Sequence, residues 1–178
     1  CLEIIQKALM CGNREDFGER LYDNLGEVLA EDYREVVPTG IQELDDKLEG
    51  GVGKGEICLI IGASGFGKTS MTTGIATYCA MNNKKVCHIF FEDRSKVIKR
   101  KAFGYISGIE AKDMGKTRYR DELLQKIETP EIKEKVNNNI VLKRFPDGEK
   151  KPEDIREYLR KLKNIGYIPD IVVIDYFE

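Results

Sequence analysis

Gly62, Gly67, Lys68 and Thr69 follow one another in the order G-x-x-x-x-G-K-[ST], within the segment GASGFGKT. That spacing can do one kind of chemistry well. Glycines let successive backbone N–H groups turn toward phosphate oxygens, and a helix that starts at once adds the positive end of its dipole. The residues expected to wrap a nucleotide are Gly62, Ala63, Ser64, Gly65, Phe66, Gly67, Lys68, Thr69 and Ser70. Lys68 is placed to bridge the β and γ phosphates of ATP, and the Thr69 hydroxyl to join the oxygen shell of a Mg²⁺ ion. A glycine-rich structural turn is the bland alternative. The context argues against it, because an apolar run, Ile57 to Ile61, comes directly before the loop and a helical pattern directly after.

A magnesium nucleotide needs acids opposite the loop. Asp175 ends the apolar run Ile171 to Ile174, where a carboxylate at a strand tip can hold the metal or a metal-bound water. Glu92 ends the run Val86 to Phe91 and would share the carboxyl edge of the sheet, the edge at which open α/β sheets bind ligands. An ionised carboxylate there can orient and polarise the water that attacks a γ-phosphate. Asp93 is the competing acid, and the longer reach of the Glu92 side chain favours Glu92.

These residues need a scaffold, and the remaining pattern supplies one. Short apolar runs at Ile57 to Ile61, Val86 to Phe91, Ile140 to Arg144 and Ile171 to Ile174 alternate with amphipathic helices, the signature of a mostly parallel α/β sheet covered on both faces. The clearest helix has Pro152 in its first turn, Glu153 and Asp154 at its positive end and Gly166 beyond its end, with Ile155, Tyr158, Leu159 and Leu162 facing inward. The stretch from Glu110 to Asn138 reads as helical, burying Leu123, Leu124 and Ile127. Thr39 with Gln42 forms a capping-box pattern for a helix through about Leu48. Phe17, Leu21, Leu25, Val28 and Leu29 give the first 35 residues one apolar helical face. The domain reading is an amphipathic helical segment over 1–37 and a nucleotide-binding domain over 38–178.

Composition excludes several classes. With 41% hydrophobic and 34% charged residues the chain is globular, and no apolar run approaches a membrane span. The 29 basic and 31 acidic residues leave a net charge of −2, so any DNA contact must be local or assembled. Five cysteines without a CxxC pair suggest neither a zinc site nor a redox motif. Cys58 and Cys87 read as reduced core residues, and the protein as intracellular. Arg94, Lys96, Lys99, Arg100 and Lys101 read as a solvated helix face that could also meet DNA or a neighbour's nucleotide. Tyr176 and Phe177 read as packing residues rather than base-stacking platforms, and His88 as a packed strand residue.

The stretch PTGIQELDDKLEGGVGKGEICLIIGASGFGKTS resembles the opening of RecA-type P-loop motors. HIFFED and DIVVIDYFE look most like the replicative hexameric helicases, DnaB and its tailed-phage counterparts, and the run from Asn138 to Tyr176 is similar in layout to the phage versions. The resemblance covers about Pro38 onward. It implies a RecA-type fold, phosphate and metal roles for Lys68 and Thr69, the catalytic glutamate at Glu92 and the Walker B aspartate at Asp175. It further implies ATP and Mg²⁺ as cofactors, single-stranded DNA as partner, a hexameric ring, a possible primase or loader contact, and a cytoplasmic setting in a bacterial or phage-infected cell. The chain stops three residues after Asp175, ahead of the family's sensor strand, DNA-binding loops and arginine finger, so it reads as a fragment with an incomplete sheet. A recombinase of the RecA and RadA kind and a nucleotide-switched assembly protein of the clock kind are the rival readings.

Overall fold

The computed structural model describes residues 21–22, 25–29, 34–145 and 151–175. The backbone forms two units, Cys1–Tyr33 and Arg34–Glu178. In the first, the described residues include a single turn of helix, α1 (Leu25–Val28). Leu21, Leu25 and Leu29, expected on one apolar face, are exposed, whereas Phe17 and the Val28 side chain lie outside the described residues.

The second unit runs β1 (Val36–Val37), α2 (Gln42–Lys47), β2 (Val52–Gly53), α3 (Lys68–Met81), β3 (Val86–Phe90), α4 (Ser95–Ser107), α5 (Thr117–Ile127), α6 (Pro130–Asn139), β4 (Ile140–Arg144), α7 (Pro152–Asn164) and β5 (Ile171–Asp175). It begins ahead of Pro38 because β1 pairs antiparallel with β2, Val36 opposite Gly53 and Val37 opposite Val52. The main sheet has the order β4-β3-β5, all parallel. Every residue of the central strand β3 is buried, as a parallel strand with helices on both faces requires.

Side-chain alternation along β3 sends residues to two cores. Val86 packs with Ile75, Ala76, Cys79 and Ala80 of α3, flanked by Ile140, Ile171 and Val173. Cys87 and Ile89 face the other way, onto Phe145 and the Ile155 and Leu162 of α7. α7 is built as its sequence indicates: Pro152 opens it, the Asp154 carboxylate accepts the Lys151 backbone N–H at 2.9 Å, and the chain leaves through Gly166 at φ +82°. The Tyr167 hydroxyl then lies 2.9 Å from the carbonyls of both Val86 and Asn139, tying the amino ends of β3 and β4 together.

Four expectations are corrected. The run Ile57 to Ile61 is not part of the sheet: it forms no ladder with any described strand, and Ile57, Leu59 and Ile61 are exposed. A strand is held by its neighbours, and no described strand lies beside this one. Cys58, within that run, is exposed rather than in the core, whereas Cys87 is buried as expected. Thr39 does not cap α2, because Ile41 occupies the N-cap position. The buried Thr39 hydroxyl instead donates to Asp45 at 2.7 Å, and Gln42 reaches Asp46. The stretch 110–138, expected to be helical with Leu124 buried, carries two helices, α5 and α6, and leaves Leu124 exposed. Thr129 caps the second, with Pro130 in its first turn, its hydroxyl accepting from the Ile132 N–H at 3.3 Å.

Candidate functional site

The loop from Gly62 to Gly67 is exposed and leads straight into α3. Gly67 occupies the N-cap position at φ +83°, a conformation that favours glycine, and no side chain caps the helix. The N–H groups of the first turn, at Lys68, Thr69 and Ser70, therefore face outward with the positive end of the dipole behind them. The Lys68 ammonium donates to the Gly62 carbonyl at 2.7 Å and the Ala63 carbonyl at 3.0 Å, closing the loop on itself. Phe66 projects from the loop, 84% exposed, and Ala63, Ser64 and Gly65 line its outer side.

Asp175 ends β5 in register with Phe90 of β3, and the Thr69 side chain stands beside its carboxyl. The residue is buried, and burial pushes its carboxyl above the ordinary value. Thr69 and the charge of Lys101 oppose that rise, and Asp93 and Glu92 reinforce it. The Phe91 N–H bonds the Asp175 carbonyl at 3.2 Å, so the chain beyond β3 passes beside Asp175 before reaching Glu92, which is exposed. Lys68, Thr69, Glu92 and Asp175 thus gather at one edge of the sheet. Asp93 stands there too, but its carboxylate is ion-paired with Lys101 at 3.0 Å. The other edge is different in character: a polar cleft of about 280 Å³ lined by Asn83, Asn139 and residues of α6.

The site fits a magnesium nucleotide on its own terms. An uncapped helix start offers donors to phosphate, while a hydroxyl and a buried carboxyl meet beside it in the pairing a hard, octahedral cation prefers.

Two features escaped sequence reading. One is a clasp around the glycine cluster: Arg34 holds Glu56 through two hydrogen bonds, at 2.8 and 2.6 Å, and also donates to the Leu48 and Gly51 carbonyls. The Arg34 guanidinium, helped by the Gly53 N–H, brings the Glu56 carboxyl down to about 2. The other is the inward position of Lys101. Its signal was present, since Lys101 follows the fully buried Ile98 by three residues. Arg94, Lys96, Lys99 and Arg100 are exposed, as a solvated face would be. His88 is packed, with both ring nitrogens buried and without a partner.

A parallel sheet between helices, with a glycine loop running into a helix at its carboxyl edge, defines a RecA-type P-loop nucleotide-binding protein. The family described as DnaB-like helicase C terminal domain matches residues 36–178, and the chain belongs to that family. No curated protein gave a significant match. Family membership associates the chain with the ATPase function of replicative helicases. Among the described residues, no helix is long and apolar enough to cross a membrane.

Proposed function

We propose that residues 38–178 form the ATP-binding motor core of a replicative DNA helicase, coupling ATP hydrolysis to translocation on single-stranded DNA and unwinding. The observation that carries this reading is the meeting of Thr69 and Asp175 at the uncapped start of α3. When bound, ATP with Mg²⁺ supplies a transferable γ-phosphoryl group and the charge neutralisation that its transfer needs.

The chain's own residues divide the work. Backbone N–H groups from Gly62 to Ser70 hold the phosphates, and Lys68 exchanges its two carbonyl contacts for phosphate oxygens. Thr69 and Asp175 hold the metal. Glu92 orients water toward the γ-phosphate and accepts its proton. In this reading the partners are single-stranded DNA, further copies of the chain in a hexameric ring and a primase or loader. The segment 1–37 contacts a neighbouring subunit, and the setting is cytoplasmic.

The test is binding of a fluorescent ATP analogue with and without Mg²⁺, followed by turnover with and without single-stranded DNA. Metal-dependent binding and DNA-stimulated turnover support the reading, and absence of metal-dependent binding removes it.

A further inference from the structure

The net charge of −2 conceals a segregation. Residues 94–127 hold ten cations against four acids, while the remaining residues hold nineteen cations against twenty-seven acids. Most acids of the basic stretch are already matched: Glu110 pairs with Lys112, Asp113 with Lys116 and Glu122 with Lys126. Lys101 is taken up by Asp93. Six cations are left over, Arg94, Lys96, Lys99, Arg100, Arg118 and Arg120, all of them exposed and none in an ion pair among the described residues.

These six stand on two helices that meet. Lys96 and Arg100 each lie two residues from the fully buried Ile98, which at the helical period sets them on the far side of α4, with Lys99 beside them. A Cβ built at Gly115, just ahead of α5, would stand 3.6 Å from an Arg100 guanidinium nitrogen, so the α4 cations reach the start of α5. Arg118 and Arg120 occupy the first turn of that helix. The Arg118 guanidinium lies 4.5 Å from the centre of the Tyr119 ring, spread on the surface rather than folded onto an acid.

Such an arrangement opposes folding on its own. Lys96 and Arg100 are like charges one turn apart, and each helix opens with cations and no acid at the positive end of its dipole. An anion relieves both strains. Lys96 and Arg100 are separated by about 6 Å along the axis, and the patch continues onto α5, so a single small anion meets only part of it. A chain of phosphates meets all of it. We propose that this face of α4 and α5 is a docking surface for a nucleic-acid backbone, held through its phosphates and distinct from the loop at Gly62 to Gly67. The choice of nucleic acid among polyanions rests on the motor reading, whereas the patch itself does not.

The test is fluorescence anisotropy of the full chain, without nucleotide, against labelled single-stranded DNA, duplex DNA and single-stranded RNA of one length across a salt series. Salt-dependent binding is expected, and the arm bound most tightly identifies the form of backbone. Lys96→Gln, Lys99→Gln and Arg100→Gln together should weaken binding about tenfold or more. They should also lower the slope of log affinity against log salt by about 2 to 3, at roughly 0.7 per phosphate for a single strand and roughly 0.9 for a duplex. Arg118→Gln with Arg120→Gln should weaken the same complex about fivefold. A matched triple on exposed positions of α7, Arg156→Gln, Arg160→Gln and Lys163→Gln, should change affinity less than about twofold. Equal losses from the two triples, an Arg118 and Arg120 variant that binds like wild type, no binding in any arm, or poly-glutamate bound as tightly as nucleic acid overturns the proposal. Binding of the fluorescent ATP analogue separates the two readings. A chain that takes nucleic acid on this face but no magnesium nucleotide defeats the motor reading, whereas one that takes the nucleotide while the α4 triple binds nucleic acid like wild type defeats only the docking surface.

Discussion

The Thr69 side chain stands beside the Asp175 carboxyl, close enough to pull it down against the upward push of burial. One residue comes from the first turn of α3 and the other from the last position of β5, so the contact joins the phosphate loop to the edge of the sheet. Replacing Thr69 by Val keeps the shape and deletes the hydroxyl. The expected outcome is loss of the metal-dependent part of nucleotide affinity with the metal-independent part kept, measured by titrating a fluorescent nucleotide at rising Mg²⁺. An unchanged metal dependence would remove Thr69 from the metal site.

Lys68 and Glu92 should separate binding from chemistry. Lys68→Ala is expected to abolish nucleotide binding. Glu92→Gln should retain ATP and lose about 10² to 10⁴ in turnover, the range a positioned general base contributes. Equal turnover in wild type and Glu92→Gln would reject the base.

His88 makes stability depend on pH in a stated direction. Burial, with Lys101 adding, pushes its imidazole down to about 4, so the folded protein keeps the ring neutral where an unfolded chain would protonate it near 6.5. The stabilisation is fully present above about pH 6.5 and is lost as the pH falls through about 4, amounting to about 3 kcal/mol. Urea denaturation at pH 7.5, 5 and 4 reads it. His88→Leu should flatten that part of the profile, and it also removes two unpartnered buried nitrogens. An identical slope in the variant would mean the dependence comes from elsewhere.

Gly40 faces a side chain at very short range. A Cβ built there would come within 2.4 Å of the Tyr78 ring, and the backbone sits at φ +80°. Gly40→Ala should therefore cost about 2 to 4 kcal/mol, combining left-handed strain with overpacking. Gly108 has φ +74° with nothing within 4 Å, so Gly108→Ala should show the strain alone, about 1 to 2 kcal/mol. Equal losses at the two positions, by urea denaturation, would argue against the clash.

Three cysteines should differ in reactivity. Burial pushes the Cys79 and Cys87 thiols up to about 11, and Cys58 is exposed. At pH 8 an alkylating reagent should modify Cys58 in the native protein and reach Cys79 and Cys87 only after denaturation, as peptide mapping would show. Rapid native modification of Cys87 would contradict the packing of β3 against α7.

Much of the architecture was legible because it rests on local rules. The runs at β3, β4 and β5 announced themselves as parallel strands, although only β3 is buried along its whole length, and Pro152, Asp154 and Gly166 framed α7. The spacing from Gly62 to Thr69 located the loop. What sequence could not show was pairing. Ile57 to Ile61 has the composition of a strand, yet a strand also requires an adjacent ladder, and composition is silent about neighbours. Thr39 had the right type and spacing for a cap, but its hydroxyl turned to Asp45, where hydrogen bonds from Thr39 and Gly40 outweigh the upward push of burial and hold the carboxyl below its usual value. The Arg34–Glu56 clasp and the Asp93–Lys101 pair are choices among many possible partners, and such choices are made by tertiary placement.

The self-contacts of Lys68 bear on how affinity at this loop should be understood. Its ammonium already satisfies two carbonyls, so an arriving anion competes with the loop's own oxygens for the same three protons. Measured affinity is then a difference between two sets of hydrogen bonds, and a ligand that contacts only the lysine gains little over the resting arrangement. Discrimination falls to groups that also engage the backbone amides, which favours extended polyphosphates over a single small anion.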